Sequence, residues 1–105
     1  MEYLKIEHRD RVALLTLNDP ERRNVVSNDL NEELVSTFDE LEKSDTTGAV
    51  VITGEGRAFC AGAILDDLLD AGELQKRGDE ASLPHIYRGF LRIAHSSLPT
   101  IAAVN

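Results

Sequence analysis

Ala49-Val50-Val51-Ile52-Thr53-Gly54-Glu55-Gly56-Arg57-Ala58-Phe59-Cys60-Ala61-Gly62-Ala63 changes character a third of the way along. Its first five residues are apolar and largely β-branched, the composition of a fully buried strand, typically parallel and covered on both faces. The rest is a loop of small residues, too apolar for a plain solvated turn. Such a loop at a strand end lets another molecule approach the backbone closely, and a helix starting just beyond would bring unpaired amide N–H groups to the same place. Gly62 and Ala63 offer little side-chain hindrance, so the Ala63 N–H is free to point at a carbonyl oxygen and stabilise an oxyanion. The plainer alternative is a tight strand-to-helix turn. Two phosphate-binding readings fail: no Gly-Lys-Ser or Gly-Lys-Thr follows, and Phe59 stands where a dinucleotide fingerprint needs its third glycine.

Outward from this stretch the chain reads β, β, α, β, then a second helix and a last strand. Leu4-Lys5-Ile6-Glu7-His8 alternates apolar and polar, Val12-Ala13-Leu14-Leu15-Thr16-Leu17 is nearly all apolar, and the Arg9-Asp10 pair between them suggests a hairpin. Asn18-Asp19-Pro20 stops the second strand. Ser27 is a candidate N-cap, with Asp29, Glu32 and Glu33 where a helix dipole favours negative charge. Leu30, Leu34, Phe38 and Leu41 then predict a helix over about Asn28–Lys43 with one buried face, broken by Thr46-Thr47-Gly48. Residues 66–80 are dense in charge and interrupted by Gly72 and Gly78, which predicts a short helix over 66–69 followed by a mobile surface segment. Tyr87, Phe90, Leu91 and Ala94 mark the face of a further amphipathic helix. Thr100-Ile101-Ala102-Ala103-Val104 reads as another buried strand, and the sequence stops at Asn105 directly after it. Terminal segments are usually exposed or loosely tied, so the chain reads as truncated after Asn105, a fragment of a longer domain.

Composition narrows the functional classes. Eleven Lys and Arg against nineteen Asp and Glu give a formal charge of −8, a poor match to a polyanion, so nucleic-acid binding is not expected. Cys60 is the single cysteine, which excludes an internal disulfide framework and a Cys-rich zinc site. No secretory leader or apolar stretch long enough for a membrane span is legible, and a soluble cytoplasmic protein is the default expectation.

Three segments together carry a specific resemblance. Residues 49–63 are similar to the central motif of the enoyl-CoA hydratase/isomerase (crotonase) family. Pro20-Glu21-Arg22-Arg23-Asn24-Val25-Val26-Ser27 is similar to the family's Pro-x-x-(Lys/Arg)-Asn-Ala-(Leu/Met)-Ser, and Leu98-Pro99-Thr100-Ile101-Ala102-Ala103-Val104-Asn105 to its Lys-Pro-Val-Ile-Ala-Ala-Val-Asn. The resemblance implies an α/β fold, a crotonase-like spiral of ββα units, with residues 1–105 as the N-terminal part of a single core domain. It implies an enoyl-CoA hydratase acting on acyl-CoA thioesters, adding water to a 2-enoyl-CoA through an enolate held in an oxyanion hole. The alternatives are an enoyl-CoA isomerase, another reaction of the family, or a non-catalytic CoA-ester-binding or assembly fragment.

The resemblance also implies roles for particular residues. The Ala63 N–H is one oxyanion donor, and Ala61, Gly62, Ala63, Ile64 and Arg23 contact the CoA ester. Backbone carbonyls near Ala61 and Ala63 face the adenine, and the Arg23 guanidinium faces the nucleotide phosphates, a role suited to its fork of donors. No separate cofactor and no metal are implied, since coenzyme A is part of the substrate; full-length members are expected to assemble as trimers or hexamers. One departure is Ile64, where the family often has Asp, with Asp66 and Asp67 following slightly later. The second oxyanion donor and the proton-handling acids of the family fall beyond Asn105, so the 105-residue chain by itself is expected to be inactive.

Rival chemistries are weaker. Cys60 has no assignable His or Asn to activate it and reads as a small packing residue. His8, His85 and His95 lack metal-ligand spacing. Glu32-Glu33, Asp39-Glu40 and Asp66-Asp67 are adjacent pairs that diverge on a helix, as on a solvated face.

Overall fold

Strands β1 (Leu4–Arg9) and β2 (Val12–Leu17) form an antiparallel hairpin with Leu4 opposite Leu17 and Arg9 opposite Val12. The computed structural model describes residues 2–64, 69 and 85–105. The connecting pair is Asp10-Arg11, one residue later than the polar pair read from the sequence. Asp10 takes a φ of 53°, a left-handed conformation that Asp enters more readily than most residues. Along β2 the apolar run resolves into an alternation: Ala13, Leu15 and Leu17 are fully buried, while Val12, Leu14 and Thr16 are half-buried.

Helix α1 (Asn28–Lys43) begins and ends where its sequence signals lie. The Ser27 hydroxyl accepts the Leu30 N–H at 3.1 Å, satisfying one of the amides that a helix start leaves open. Leu30, Leu34, Phe38 and Leu41 are buried and join Leu4, Ala13, Leu15, Leu17, Val50 and Ile52 in one core. Strand β3 (Ala49–Gly54) pairs parallel to β2, as a crossover through a helix requires. Strand β4 (Thr100–Ala102) pairs parallel to β3, completing a sheet of order β1-β2-β3-β4.

One burial expectation needs correction. In β3 only Val50 and Ile52 are buried; Ala49, Val51 and Thr53 are half-buried, so one face is covered rather than both. All three residues of β4 are exposed, with Ile101 at 59% and Val104, just beyond it, at 71% exposure. In the sheet formed by the described residues β4 lies at the edge, hydrogen-bonded to β3. The short helix expected over 66–69, the mobile segment up to residue 80 and the carboxylates Asp66 and Asp67 lie outside the described residues.

Helix α2 (Arg88–Ala94) also departs from its apolar pattern. Leu91 is 41% exposed and Ala94 exposed, whereas Ile86 and Gly89 are buried and Phe90 and Ile93 pack on the core. Gly89 is the cause. A Cβ there would lie 2.8 Å from Asn31 Oδ1 and 3.0 Å from Asn31 Cα, so only glycine lets α2 touch α1 at this point. The buried Asn31 side chain accepts the Gly89 N–H at 2.9 Å and donates to the Ile86 carbonyl at 2.6 Å. A polar seam of this kind fixes helix rotation without leaving a mark in apolar periodicity.

Charge ties the same two helices together at their other ends. Arg92 Nε lies 3.0 Å from Asp39 Oδ1 and Arg92 Nη1 2.7 Å from Glu42 Oε1; the Ser97 N–H also donates to Glu42. The Arg92 hydrogen bond holds the Glu42 carboxyl at about 2, against an ordinary 4.5. A depressed carboxyl pKa contributes stability that is present above the unfolded value and lost as pH falls toward the folded one. The stability difference between the unsubstituted chain and Glu42→Gln should therefore be present at neutral pH and close as pH drops from 4.5 toward 2. Urea midpoints of both chains across that range check this; a difference independent of pH would contradict it.

Candidate functional site

The site is built from the turn that leaves β2. Asp19 accepts the N–H groups of Arg22 and Asn24 on its backbone carbonyl and pairs with the Arg22 guanidinium at 2.7 Å, tightening a single 3₁₀ turn over Pro20–Arg22. Arg23 and Asn24 then both take left-handed conformations, with φ of 54° and 56°. The reversal lays residues 23–26 alongside the loop that follows β3. The Arg23 carbonyl accepts the Ala61 N–H at 2.9 Å, and the Val26 N–H donates to the Gly62 carbonyl at 2.9 Å. Val26 and Ala63 form an isolated parallel bridge. Backbone contacts thus join Arg23 to Ala61 and Val26 to Gly62 and Ala63, with Ile64 next in the chain.

Asn24 locks this arrangement. It is fully buried, and its Nδ2 donates to the carbonyls of Glu55 and Ala58 at 3.1 and 2.9 Å. Its Oδ1 accepts the Asp19 N–H at 2.7 Å. Asn105 grips the same loop from the other side, donating to the Gly56 carbonyl at 2.9 Å and accepting from the Gly54 N–H at 3.3 Å. Gly54 allows the loop to fold back on itself: a Cβ there would lie 2.7 Å from the Phe59 carbonyl oxygen and 2.8 Å from that of Ala58. The sequence reading assigned none of these three residues a role. The signal for Asn24 was its place after Pro20, since Asn tolerates left-handed backbone and carries both donors and an acceptor.

The direction of the Ala63 N–H follows from the peptide plane. A trans peptide sets C=O and the next N–H antiparallel, and no peptide bond among the described residues is cis. Because the Gly62 carbonyl points at Val26, the Ala63 N–H points away from residues 23–26. Among the described residues it meets no acceptor, and the carbonyls of Ala61 and Ala63 meet no donor. Gly62 is required here for its conformation, a φ of 92°, and not for space, since a Cβ would meet nothing within 4 Å. An outward amide N–H beside unpaired carbonyls can bind a group that carries both acceptors and donors.

The side chains around this backbone are few. Arg23 is exposed, and among the described residues its guanidinium has no ion-pair partner, leaving its donors free for an anion. Ile64 is half-buried and offers only its backbone for polar contact. Cys60 is a half-buried free thiol packed against the core, in keeping with a packing residue. A separate surface depression lined by Glu2, Tyr3, Asp29, Glu32, Glu33 and Ser36 shares no residue with this loop and is too acidic for a phosphate-bearing ligand. Among the described residues, no group of three His, Cys, Asp or Glu could hold a metal ion, and no helix is long and apolar enough to cross a membrane.

Comparison with known proteins gives a consistent picture. A family model described as enoyl-CoA hydratase/isomerase matches residues 7–105. A probable enoyl-CoA hydratase of Mycobacterium tuberculosis is 46% identical over 96 residues, covering 90% of this chain and 36% of the relative. A 4-chlorobenzoyl coenzyme A dehalogenase of Arthrobacter is 32% identical over 105 residues, covering 98% of this chain and 38% of the relative. The crystal structure of a probable enoyl-CoA hydratase/isomerase from Mycobacterium abscessus superimposes with a TM-score of 0.76 at 34% identity, covering 100% of this chain and 38% of that one. The chain therefore spans little more than a third of the length of the proteins it matches.

Proposed function

Since the chain belongs to the enoyl-CoA hydratase/isomerase family, we propose that it supplies the thioester-polarising loop and a CoA-phosphate contact of an enoyl-CoA hydratase. The observation that carries this reading is the Ala63 N–H, held outward by the Val26–Gly62 hydrogen bond and unpaired among the described residues. An amide fixed before substrate arrives stabilises developing negative charge on a thioester oxygen without reorganising. The unpaired carbonyls of Ala61 and Ala63 suit the amino group of an adenine, and Arg23 suits a phosphate. One N–H polarises a carbonyl but moves no proton, so hydration requires acid/base groups that this reading assigns to none of the described residues. The relatives' names support a CoA thioester as the ligand: two refer to enoyl-CoA and one to 4-chlorobenzoyl coenzyme A. Carbonyl polarisation is a step that such different reactions can share.

The test is a chimera in which this chain replaces the matched region of the Mycobacterium tuberculosis relative. It should hydrate a crotonyl-CoA thioester. The acid/base groups of that chimera are the relative's own, so a folded chimera that binds the thioester without turnover would contradict the polarising role of this loop and favour the non-catalytic alternative.

Arg23→Ala in the chimera should weaken binding of crotonyl-CoA more than of crotonyl-pantetheine, which lacks the nucleotide. The gap should shrink as salt screens the guanidinium–phosphate attraction. Equal losses for both ligands, measured calorimetrically, would contradict a nucleotide contact.

A further inference from the structure

We propose that Asn24 is a positioning residue for the oxyanion donor, its side-chain amide setting the direction of the Ala63 N–H through the loop it holds. The inference deepens the function proposed above and rests on it. The segment of residues 23–26 touches the loop at four places: the Arg23 carbonyl on Ala61, Asn24 Nδ2 on Glu55 and on Ala58, and the Val26 N–H on Gly62. The first and last of these fix the limb that carries Ala63. The two middle ones fix the limb that leaves β3. Asn24 alone bridges from the segment to the first limb, and it does so from a fully buried position with every polar atom of its side chain engaged.

Its geometry suits it for orientation as well as for stability. The acceptor bond from Asp19 fixes which face of the amide turns toward the loop, so both Nδ2 protons are committed to carbonyls three residues apart. Carbonyl oxygens held this way cannot rotate independently, and the chain from Ala58 to Gly62 is short. A change at Asn24 is therefore transmitted to the Gly62–Ala63 peptide plane. Asp at this position keeps the size, the acceptor for Asp19 and the tolerance of left-handed backbone, but sets a carboxylate against two carbonyl oxygens.

The experiment uses the ¹⁵N-labelled 105-residue chain and two probes, crotonyl-CoA and S-butyl-CoA, the second being a thioether with no thioester carbonyl. In the unsubstituted chain the Ala63 amide proton should move downfield with crotonyl-CoA and not with S-butyl-CoA. In Asn24→Asp that carbonyl-dependent shift should vanish, while affinity for S-butyl-CoA stays within about threefold. Where Asn24→Asp does not fold, Asn24→Gly suits a φ of 56° and removes the same donors, and it should give the same loss. A folded variant that retains the carbonyl-dependent shift would overturn the positioning role alone. Absence of that shift from the unsubstituted chain would overturn the assignment of Ala63 and the positioning role with it.

Discussion

Ala63→Pro in the chimera lowers turnover of crotonyl-CoA by about 10²- to 10³-fold, the usual consequence of deleting one oxyanion donor. Proline removes the N–H and fixes φ near its ordinary negative value, and Ala63 is not among the residues with positive φ. The Gly62 carbonyl that pairs with Val26 is untouched. Because the interaction strengthens in the transition state, kcat and kcat/KM should fall together, with little change in affinity for the CoA portion. Ala63→Ser keeps the amide and should be far milder. Steady-state kinetics of the two variants, with circular dichroism to establish folding, check this. A folded Ala63→Pro chimera with normal turnover would remove Ala63 from the mechanism.

Gly54→Ala should cost about 1–3 kcal/mol of stability, the range for forcing a methyl group into a filled site. The added Cβ would lie within 2.8 Å of three atoms, the carbonyl oxygens of Ala58 and Phe59 and the Cα of Phe59, all of them backbone. No side chain can swing aside to relieve this, so the loop itself must move. Ala58 is one of the two carbonyls held by Asn24, and its displacement breaks that bond as well. Urea denaturation of Gly54→Ala against the unsubstituted chain gives the number. A loss below about half a kcal/mol, the scale of an ordinary surface substitution, would mean the loop yields more easily than its contacts imply.

How far the sequence carried the fold depended on the range of the interaction involved. Helix α1 was legible to the residue because its determinants are local: a Ser27 cap bonded to Leu30, and Leu30, Leu34, Phe38 and Leu41 on one face. The pairing of β1 with β2 was legible for the same reason, down to a one-residue offset at Asp10. The face of α2 was not, because Gly89 and Asn31 set it from 58 residues apart. β4 has the apolar composition of a covered strand, which reports what it can pack against, while its exposure depends on what is beside it, and among the described residues that is β3. In the site, Ala63, its neighbours and Arg23 came from motif resemblance, and the backbone bonds of residues 23–26 to Ala61 and Gly62 were not part of it. Asn24 stood within the quoted motif yet received no role, because its hydrogen bonds to Glu55 and Ala58 span 31 and 34 residues. Side-chain bonds of that range leave no periodic trace along the chain.

The central claim is that the Ala63 N–H polarises a thioester carbonyl, and the stretching frequency of that carbonyl reports on it most directly. Crotonyl-CoA carrying ¹³C at the thioester carbonyl, bound to the chimera and to its Ala63→Pro variant, separates the bond from all others by isotope-edited infrared difference spectroscopy. The account predicts a carbonyl band at lower frequency in the bound state than in water, shifting back toward the solution value when Ala63 is proline. A bound carbonyl with the same frequency in both proteins would show that the Ala63 N–H does not polarise the thioester.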